Sequence, residues 1–341
     1  MILIDENTAY RRLIGIDILK IFAIIMVVLT HTSFYAPFGN LYLNTCVPIF
    51  ILIAAFSNSR KYNKAGFTSI KEWYNKENFW GYFKRISIPY LFFMLLQVII
   101  LPLVGYAPFS EALLNTIKGG MGAGGYYLVV FAQLFLIFPV LIYCFKRKPL
   151  ITFLVTIIIQ IGIECLFHYA LLPINEYIFT GVYKLTFFRY LLIFMLGILF
   201  FEKFKEIKTW YFIIPFVVGI ALGILDGFNI KTSIFEVDLI ISLIQMSSLV
   251  FGICGLVIRL CLLIKNVKVQ KVLGFISGST LHILLFQQLY FCCVGVGESP
   301  AYLDLPVTLI GGFVIYVLWI YAEKLIKKIR NDRMRKYKNL I

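Results

Sequence analysis

Ten long apolar runs, most of them close to or above the roughly 20 residues that a helix needs to cross a bilayer, dominate this chain. They fall at about 13–36, 41–58, 87–106, 125–145, 150–168, 186–202, 210–226, 237–264, 272–294 and 303–325. Hydrophobic residues make up 61% of the 341 positions and charged residues 14%, against about 45–50% and about 25% in soluble domains. A chain this apolar has too little polar surface to cover itself in water. The runs are continuous rather than alternating with period two, which excludes a β-barrel. The expected fold is all-α: a polytopic membrane helical bundle of about ten transmembrane helices, forming a single membrane domain over residues 1–341.

The connections between runs set the orientation. With the N-terminus inside, the inner segments hold 26 Lys and Arg residues and the outer segments only Lys118, Lys184 and Lys231. Basic loops stay on the cytoplasmic side, so both termini are expected there, in a multi-pass protein of the plasma membrane. An even number of crossings follows, because an odd number would carry the basic segment 324–341 outside. That segment is expected to hold the last helix against anionic lipid. The formal net charge of +15 is therefore a topology signal, and no nucleic-acid partner is expected.

The seven cysteines lie in or beside apolar runs without metal-like spacing and read as small buried hydrophobes; no metal site is expected. The first apolar run carries Asp17, Lys20 and His31, which suits a retained helix and not a cleaved leader. No internal repeat of the kind found in many transporters is evident. The glycine-dense stretch 119–125 lacks the Lys and Ser/Thr of a phosphate-binding loop and reads as a flexible segment at the outer mouth.

Ionisable residues within a span are costly and mark candidate sites. Asp17, Lys20 and His31 share the first run. At 100° per residue, Lys20 and His31 point within about 20° of one direction and lie about 16 Å apart along the axis, with Asp17 about 40° from His31. They form one polar stripe, expected to face the bundle interior or a wet cavity. Asp17 and Lys20 admit a second reading, as headgroup-level residues whose charges reach the interface. His31 lies well up the span, and its titration range suits general acid–base work. Lys84 and Arg85, at the cytoplasmic entry to the third run, suit phosphate binding, although the positive-inside rule explains them equally well. Glu164 and His168, four apart, share a face near the outer end of the fifth run and could orient a hydroxyl substrate or simply bond within the interface. Arg189 opens the sixth run from outside, against the charge trend, and suits an anion or a carboxylate partner. His282, in the ninth run, reads as a residue with an internal hydrogen bond. Asp226 and Asp238, flanking an outer connection, read as solvated helix ends.

The segment Arg12-Leu13-Ile14-Gly15-Ile16-Asp17-Ile18-Leu19-Lys20, followed by Val27-Val28-Leu29-Thr30-His31, resembles the first-helix signature of the integral-membrane acyltransferase family 3. Val47-Pro48-Ile49-Phe50-Ile51, Lys84-Arg85 before Ile88-Pro89-Tyr90, Tyr126-Tyr127-Leu128 through Gln133 and Pro139, Arg189-Tyr190-Leu191 through Gly197, and Ser277 through Gln288 resemble its later motifs in order. The resemblance covers nearly the whole chain. It implies transfer of an acyl group from cytoplasmic acyl-CoA across the membrane to a hydroxyl of a surface polysaccharide, with His31 essential. Three positions depart from the family pattern: Lys20 stands where arginine is common, Tyr82 where a second arginine is frequent, and Gln287 where relatives often carry histidine.

The expected activity is that of a membrane O-acyltransferase, moving an acyl group, in particular acetyl, from acetyl-CoA to a cell-surface or capsular glycan or its lipid-linked precursor. His31 and Asp17 are the expected catalytic residues. Lys20, Lys84 and Arg85 are expected to bind the donor, and Glu164, His168 and Arg189 the acceptor. A stand-alone membrane enzyme without an appended hydrolase-like domain is expected. The competing reading is a transporter or flippase of a small metabolite or glycan precursor, with the helix-one stripe as its path.

Overall fold

A computed structural model describes residues 14–32, 45–117, 120, 124–171, 182–204, 206–227, 238–295 and 301–338. The described residues are helical with short connections and contain no strand. Each of the ten apolar runs contains a helix. The helices are α1 (Ile14–Thr30), α2 (Cys46–Lys64), α3 (Ile70–Trp73), α4 (Lys76–Tyr82), α5 (Ile88–Leu103), α6 (Phe109–Ile117), α7 (Tyr126–Arg147), α8 (Pro149–Cys165), α9 (Leu191–Glu202), α10 (Trp210–Gly227), α11 (Asp238–Cys261), α12 (Val267–Gly278), α13 (Thr280–Val294) and α14 (Ala301–Lys338).

Five helical stretches are long and apolar enough to cross a membrane: Lys76–Leu103, Tyr126–Arg147, Ser242–Cys261, Val267–Val294 and Tyr302–Asp332. Pro149–Cys165 and Trp210–Leu225 are apolar but shorter. Many large apolar side chains on these helices are exposed, among them Leu95, Ile99, Leu154, Ile158, Val217 and Leu318, so the exterior suits lipid. The protein is a membrane protein of helical architecture.

α1 is the central helix, packed against α2, α11, α12, α13 and α14. Its interior position explains how it carries Asp17 and Lys20 at a depth where lipid contact would be costly. Cys46, which opens α2, clusters with Val27 and Val28 near the far end of α1, so the two helices run antiparallel. α1 stops at Thr30, short of the expected residue 36. The Thr30 hydroxyl donates to the Met26 carbonyl and the Thr32 hydroxyl to the Leu29 carbonyl, local bonds that compete with continuation of the helix. His31 is the first residue beyond the helix, its amide tightened onto the Val28 carbonyl at 3.0 Å.

Close helix contacts depend on small residues, as in membrane bundles generally. A Cβ at Gly197 of α9 would run into the Leu52 carbonyl and Ala55 of α2, and one at Gly15 would run into the backbone of Ile258 on α11. Around these contacts lies the largest core cluster, which includes Trp73, Tyr62, Phe138, Phe194 and Phe200.

Two departures from regular helix position the candidate site. Residues 76–103 form one continuous helical stretch interrupted by a π-turn at Phe83–Ser87. Pro89 has no N–H to offer the Arg85 carbonyl four residues earlier, and the backbone just ahead widens to five-residue bonding, with Ile88 N–H on the Phe83 carbonyl. Such insertions recur at functional sites. The second departure precedes α9, which has only 12 residues. The chain enters it through the 3₁₀ turns Tyr183–Leu185 and Phe187–Tyr190. Irregular backbone at membrane depth requires partners inside the protein, and two glutamines supply them. Gln133 donates to the Leu185 carbonyl at 2.8 Å and accepts from the Phe187 amide at 3.0 Å. Gln160, fully buried, donates to the Arg189 carbonyl at 2.9 Å and accepts from the Leu192 amide at 2.6 Å.

α14 is a 38-residue helix, and the basic segment beyond Lys324 continues it through Lys338 rather than forming an irregular tail.

Candidate active site

A cavity of about 540 Å³ lies among α1, α2, the π-turn, α7, α12, α13 and α14, a size usual for small-molecule sites. Four cations line it: Lys20 from α1, Lys61 from α2, and Lys84 and Arg85 from the π-turn. Ser57, Asn58, Ser277 and Thr280 add neutral polar groups, and Glu323 is the one acidic residue in its wall among the described residues. Along α1 the lining passes from Lys20 to the apolar Val27, and along the antiparallel α2 from Lys61 to Phe50. The cavity is thus basic toward one membrane face and apolar toward its middle.

Two of the cations pack on aromatic rings. Lys61 Nζ lies 5.6 Å from the centre of the buried Trp73 ring, and Lys84 Nζ lies 5.0 Å from Trp80. Trp73 reaches this position through the turn at 68–73, where the Glu72 carboxylate accepts from the Thr68 and Ser69 amides, forming a capping box. Burial, and behind it the neighbouring Arg85 cation, hold the Lys61 ammonium below the usual lysine range. An anion entering the cavity would offset both effects by favouring the charged ammonium.

The structure brings together Lys20, Lys84 and Arg85, the three residues expected to bind a donor, and adds Lys61, which the sequence presented only as one of many inner-face cations. Asp17 is buried, and its Oδ1 accepts from the Ser277 hydroxyl. It therefore stands one hydrogen bond behind the cavity wall. His31 stands apart from the other two members of the stripe. It lies one helical turn, about 6 Å, beyond Val27 and packs edge-on against Phe291 of α13, with centroids 6.4 Å apart.

His282 is the residue that sequence reasoning placed differently. Its ring lines the cavity between Tyr316 and Trp319, at centroid distances of 5.2 and 5.6 Å. Neither ring nitrogen has a hydrogen-bond partner among the described residues, so the expected internal bond is not formed there. A histidine two residues into α13 carries no sequence signal of a cavity built with six other segments.

A second polar group lies away from the cavity. Arg189 sits over Tyr183 and Tyr190, with ring centres 6.0 and 5.8 Å from its guanidinium carbon. Tyr126 and Glu164 are within its electrostatic reach. Glu164 and Arg189 are thus brought together. His168 lies in a π-turn, Leu166–Leu171, but its side chain falls outside the described residues, as do those of Asp226 and Asp238, the segment 121–123 of the glycine-dense stretch and residues Arg11 and Arg12. Tyr126 and Tyr127 stack at 4.9 Å, and Tyr127 also lines the cavity. One tyrosine pair therefore connects the cavity wall to the arginine group. No group of His, Cys, Asp and Glu suited to holding a metal ion occurs among the described residues.

A family model described as an acyltransferase domain matches residues 13–323. No curated protein and no solved structure gave a match. The match takes in α1 through most of α14, including every residue of the cavity wall, and the chain belongs to acyltransferase family 3.

Proposed function

We propose that this membrane acyltransferase takes an acyl group, in particular acetyl, from cytoplasmic acyl-CoA and delivers it to a hydroxyl of a cell-surface or capsular glycan or its lipid-linked precursor. The observation that carries this reading is the convergence of Lys20, Lys61, Lys84 and Arg85 on one end of a cavity that turns apolar toward the membrane interior. Clustered cations suit the phosphates of CoA, and an apolar interior suits the uncharged acyl arm. Ten crossings with both termini cytoplasmic, in the plasma membrane, belong to the same reading and are supported by the uneven distribution of Lys and Arg. That arrangement opens the basic end of the cavity to the cytoplasm.

In this mechanism the acceptor approaches from the opposite face. His31 takes the proton of its hydroxyl as general base. The oxygen attacks the thioester carbonyl, the new ester C–O bond forms as the C–S bond breaks, and the thiolate of CoA leaves with the proton. A covalent relay through the imidazole is the two-step version of the same exchange. Asp17, through Ser277, fixes the relation between α1 and α12 that aligns Lys20 with the cavity. Glu164, His168 and Arg189 position the glycan.

Purified protein in liposomes, supplied with acetyl-CoA and a hydroxyl acceptor, should release free CoA thiol. His31→Ala should abolish that release while the protein remains in the membrane. Solute flux without thioester consumption would favour a transporter, and wild-type transfer by His31→Ala would remove the catalytic role from His31.

A further inference from the structure

Buried glutamines elsewhere in the molecule are satisfied, since Gln133 and Gln160 each use both ends of the amide. Gln287 and Gln288 are different. Both are 0% exposed, and neither the amide nitrogen nor the oxygen of either one has a hydrogen-bond partner among the described residues. Leaving four buried polar atoms unmet is costly, and native chains keep such groups where an occupant or a task accounts for them.

Helix register fixes their height in the bundle. Asp17 of α1 bonds Ser277 of α12, and His31 packs on Phe291 of α13. Both pairs are 260 positions apart, so α1 and α12–α13 run parallel and in step. The same offset sets Gln287 level with Val27 and Gln288 level with Val28. Val27 and Leu284 line the inner part of the cavity, and His31 lies three residues above Val28, a rise of about 4.5 Å. Gln288 also falls within about 40° of the direction of Leu281 and Leu284, two lining residues, around the helix. The amide pair therefore lies in height between the cavity, whose wall it does not itself form, and the imidazole.

We propose that the Gln287–Gln288 pair holds the acyl carbonyl of the donor thioester beneath His31. This rests on the donor reading above and adds the group that receives the reacting end. Carboxamide N–H groups meet a carbonyl oxygen, and they meet it more strongly as negative charge develops there during attack. Donors aimed at that oxygen in a water-poor site contribute most to rate. The rise to His31 is the span of a carbonyl group between donors below and a base above. The amide oxygens are left to water entering with the donor. No further reactant is required: the hydroxyl proton passes to His31 and then to the departing sulfur.

The test uses full-length protein in liposomes and methionine replacements, which match glutamine in length without its polar atoms. In Gln287→Met/Gln288→Met, kcat for CoA release from acetyl-CoA should fall roughly 10²-fold. Its melting temperature should equal or exceed that of the parent, because no partner is left unmet. A direct readout uses His31→Ala, which on the reading above should hold acetyl-CoA without consuming it. The thioester C=O stretch of the bound donor should sit below its value in water and return toward the value in an apolar solvent when the two methionines are added. A wild-type kcat in the double variant, or a carbonyl stretch that does not respond, overturns the proposal while leaving the acyltransferase reading intact. A folded wild-type protein that releases no CoA from acetyl-CoA overturns both.

Discussion

Gln160 secures the turn that carries Arg189. Its amide nitrogen donates to the Arg189 carbonyl at 2.9 Å, and its oxygen accepts the Leu192 amide at 2.6 Å. One side chain from α8 thus closes both open ends of the entry to α9, and through that closure sets where the guanidinium stands among Tyr183, Tyr190 and Tyr126.

Replacing it with leucine would strand a carbonyl and an amide in the protein interior. Each unmet group costs about 1–3 kcal/mol, so Gln160→Leu should lower the melting temperature in detergent clearly, whereas Gln288→Met should not. If Arg189 serves the acceptor, the same variant should raise the KM for acceptor more than that for donor. Equal melting of Gln160→Leu and wild type would contradict the assigned bonds.

The bond from Ser277 to Asp17 is a hydroxyl on a buried carboxyl. Ser277→Ala leaves that carboxyl without this donor, at a cost of about 1–3 kcal/mol, read as a drop in thermal stability. Asp17→Asn, which keeps an acceptor oxygen, should cost less. Reversal of that order would show that the charge and not the hydrogen bond carries the contact.

Lys61 and Arg85 face the same cavity from different segments. Each single replacement by glutamine removes a charge-assisted contact of about 1.5–3 kcal/mol, which corresponds to a rise of roughly tenfold or more in donor KM, with kcat changed little. Added salt should raise the KM of wild type and have less effect on the Lys61→Gln/Arg85→Gln protein. A kcat effect without a KM effect would place these cations at the chemistry instead of at the phosphates.

The turn at 68–73 should be sensitive to acid. The Glu72 carboxylate, bonded first by the Thr68 amide, is held below its ordinary value of 4.5. A carboxyl lowered in the folded state contributes stability that is fully present above that ordinary value and is lost as pH falls through the lowered one. Trp73 emission, isolated by replacing Trp80, Trp210 and Trp319 with phenylalanine, should therefore stay constant from pH 7 to about pH 5 and shift on further acidification. In Glu72→Gln the acid shift should disappear. Identical acid titrations in the two proteins would assign it elsewhere.

The helices were legible in the sequence because apolar run length and helical content answer to one constraint, the thickness of the hydrocarbon. Lys20, Lys84 and Arg85 were legible as one group of cations because all three lie in the inner-side parts of their runs; the structure places them in one cavity wall. Lys61 was not, since its reach into the cavity depends on Trp73 folding back beneath it from the next segment. His31 was placed on a longer helix than it occupies: the threonines at 30 and 32 end the helix by bonding their own backbone, a local competition that an apolar count does not register. Gln133 was legible only within a motif and Gln160 not at all, and their task appears only once the broken backbone before α9 is brought beside them. His282 and the Gln287–Gln288 pair depend on the parallel alignment of α1 with α12–α13, which is set by contacts 260 positions apart.

The final helix is longer than a membrane is deep. At 1.5 Å per residue its 38 residues extend roughly 57 Å, while the hydrocarbon core is about 30 Å thick. If its apolar half is set in lipid, the remainder stands off the surface like a mast, and the far end of this basic helix is carried into solution about a nanometre beyond the headgroups. A charge held at that height acts on anything approaching the basic mouth of the cavity before that molecule reaches the bilayer, so the terminal rod bears on the rate of capture as well as on anchorage.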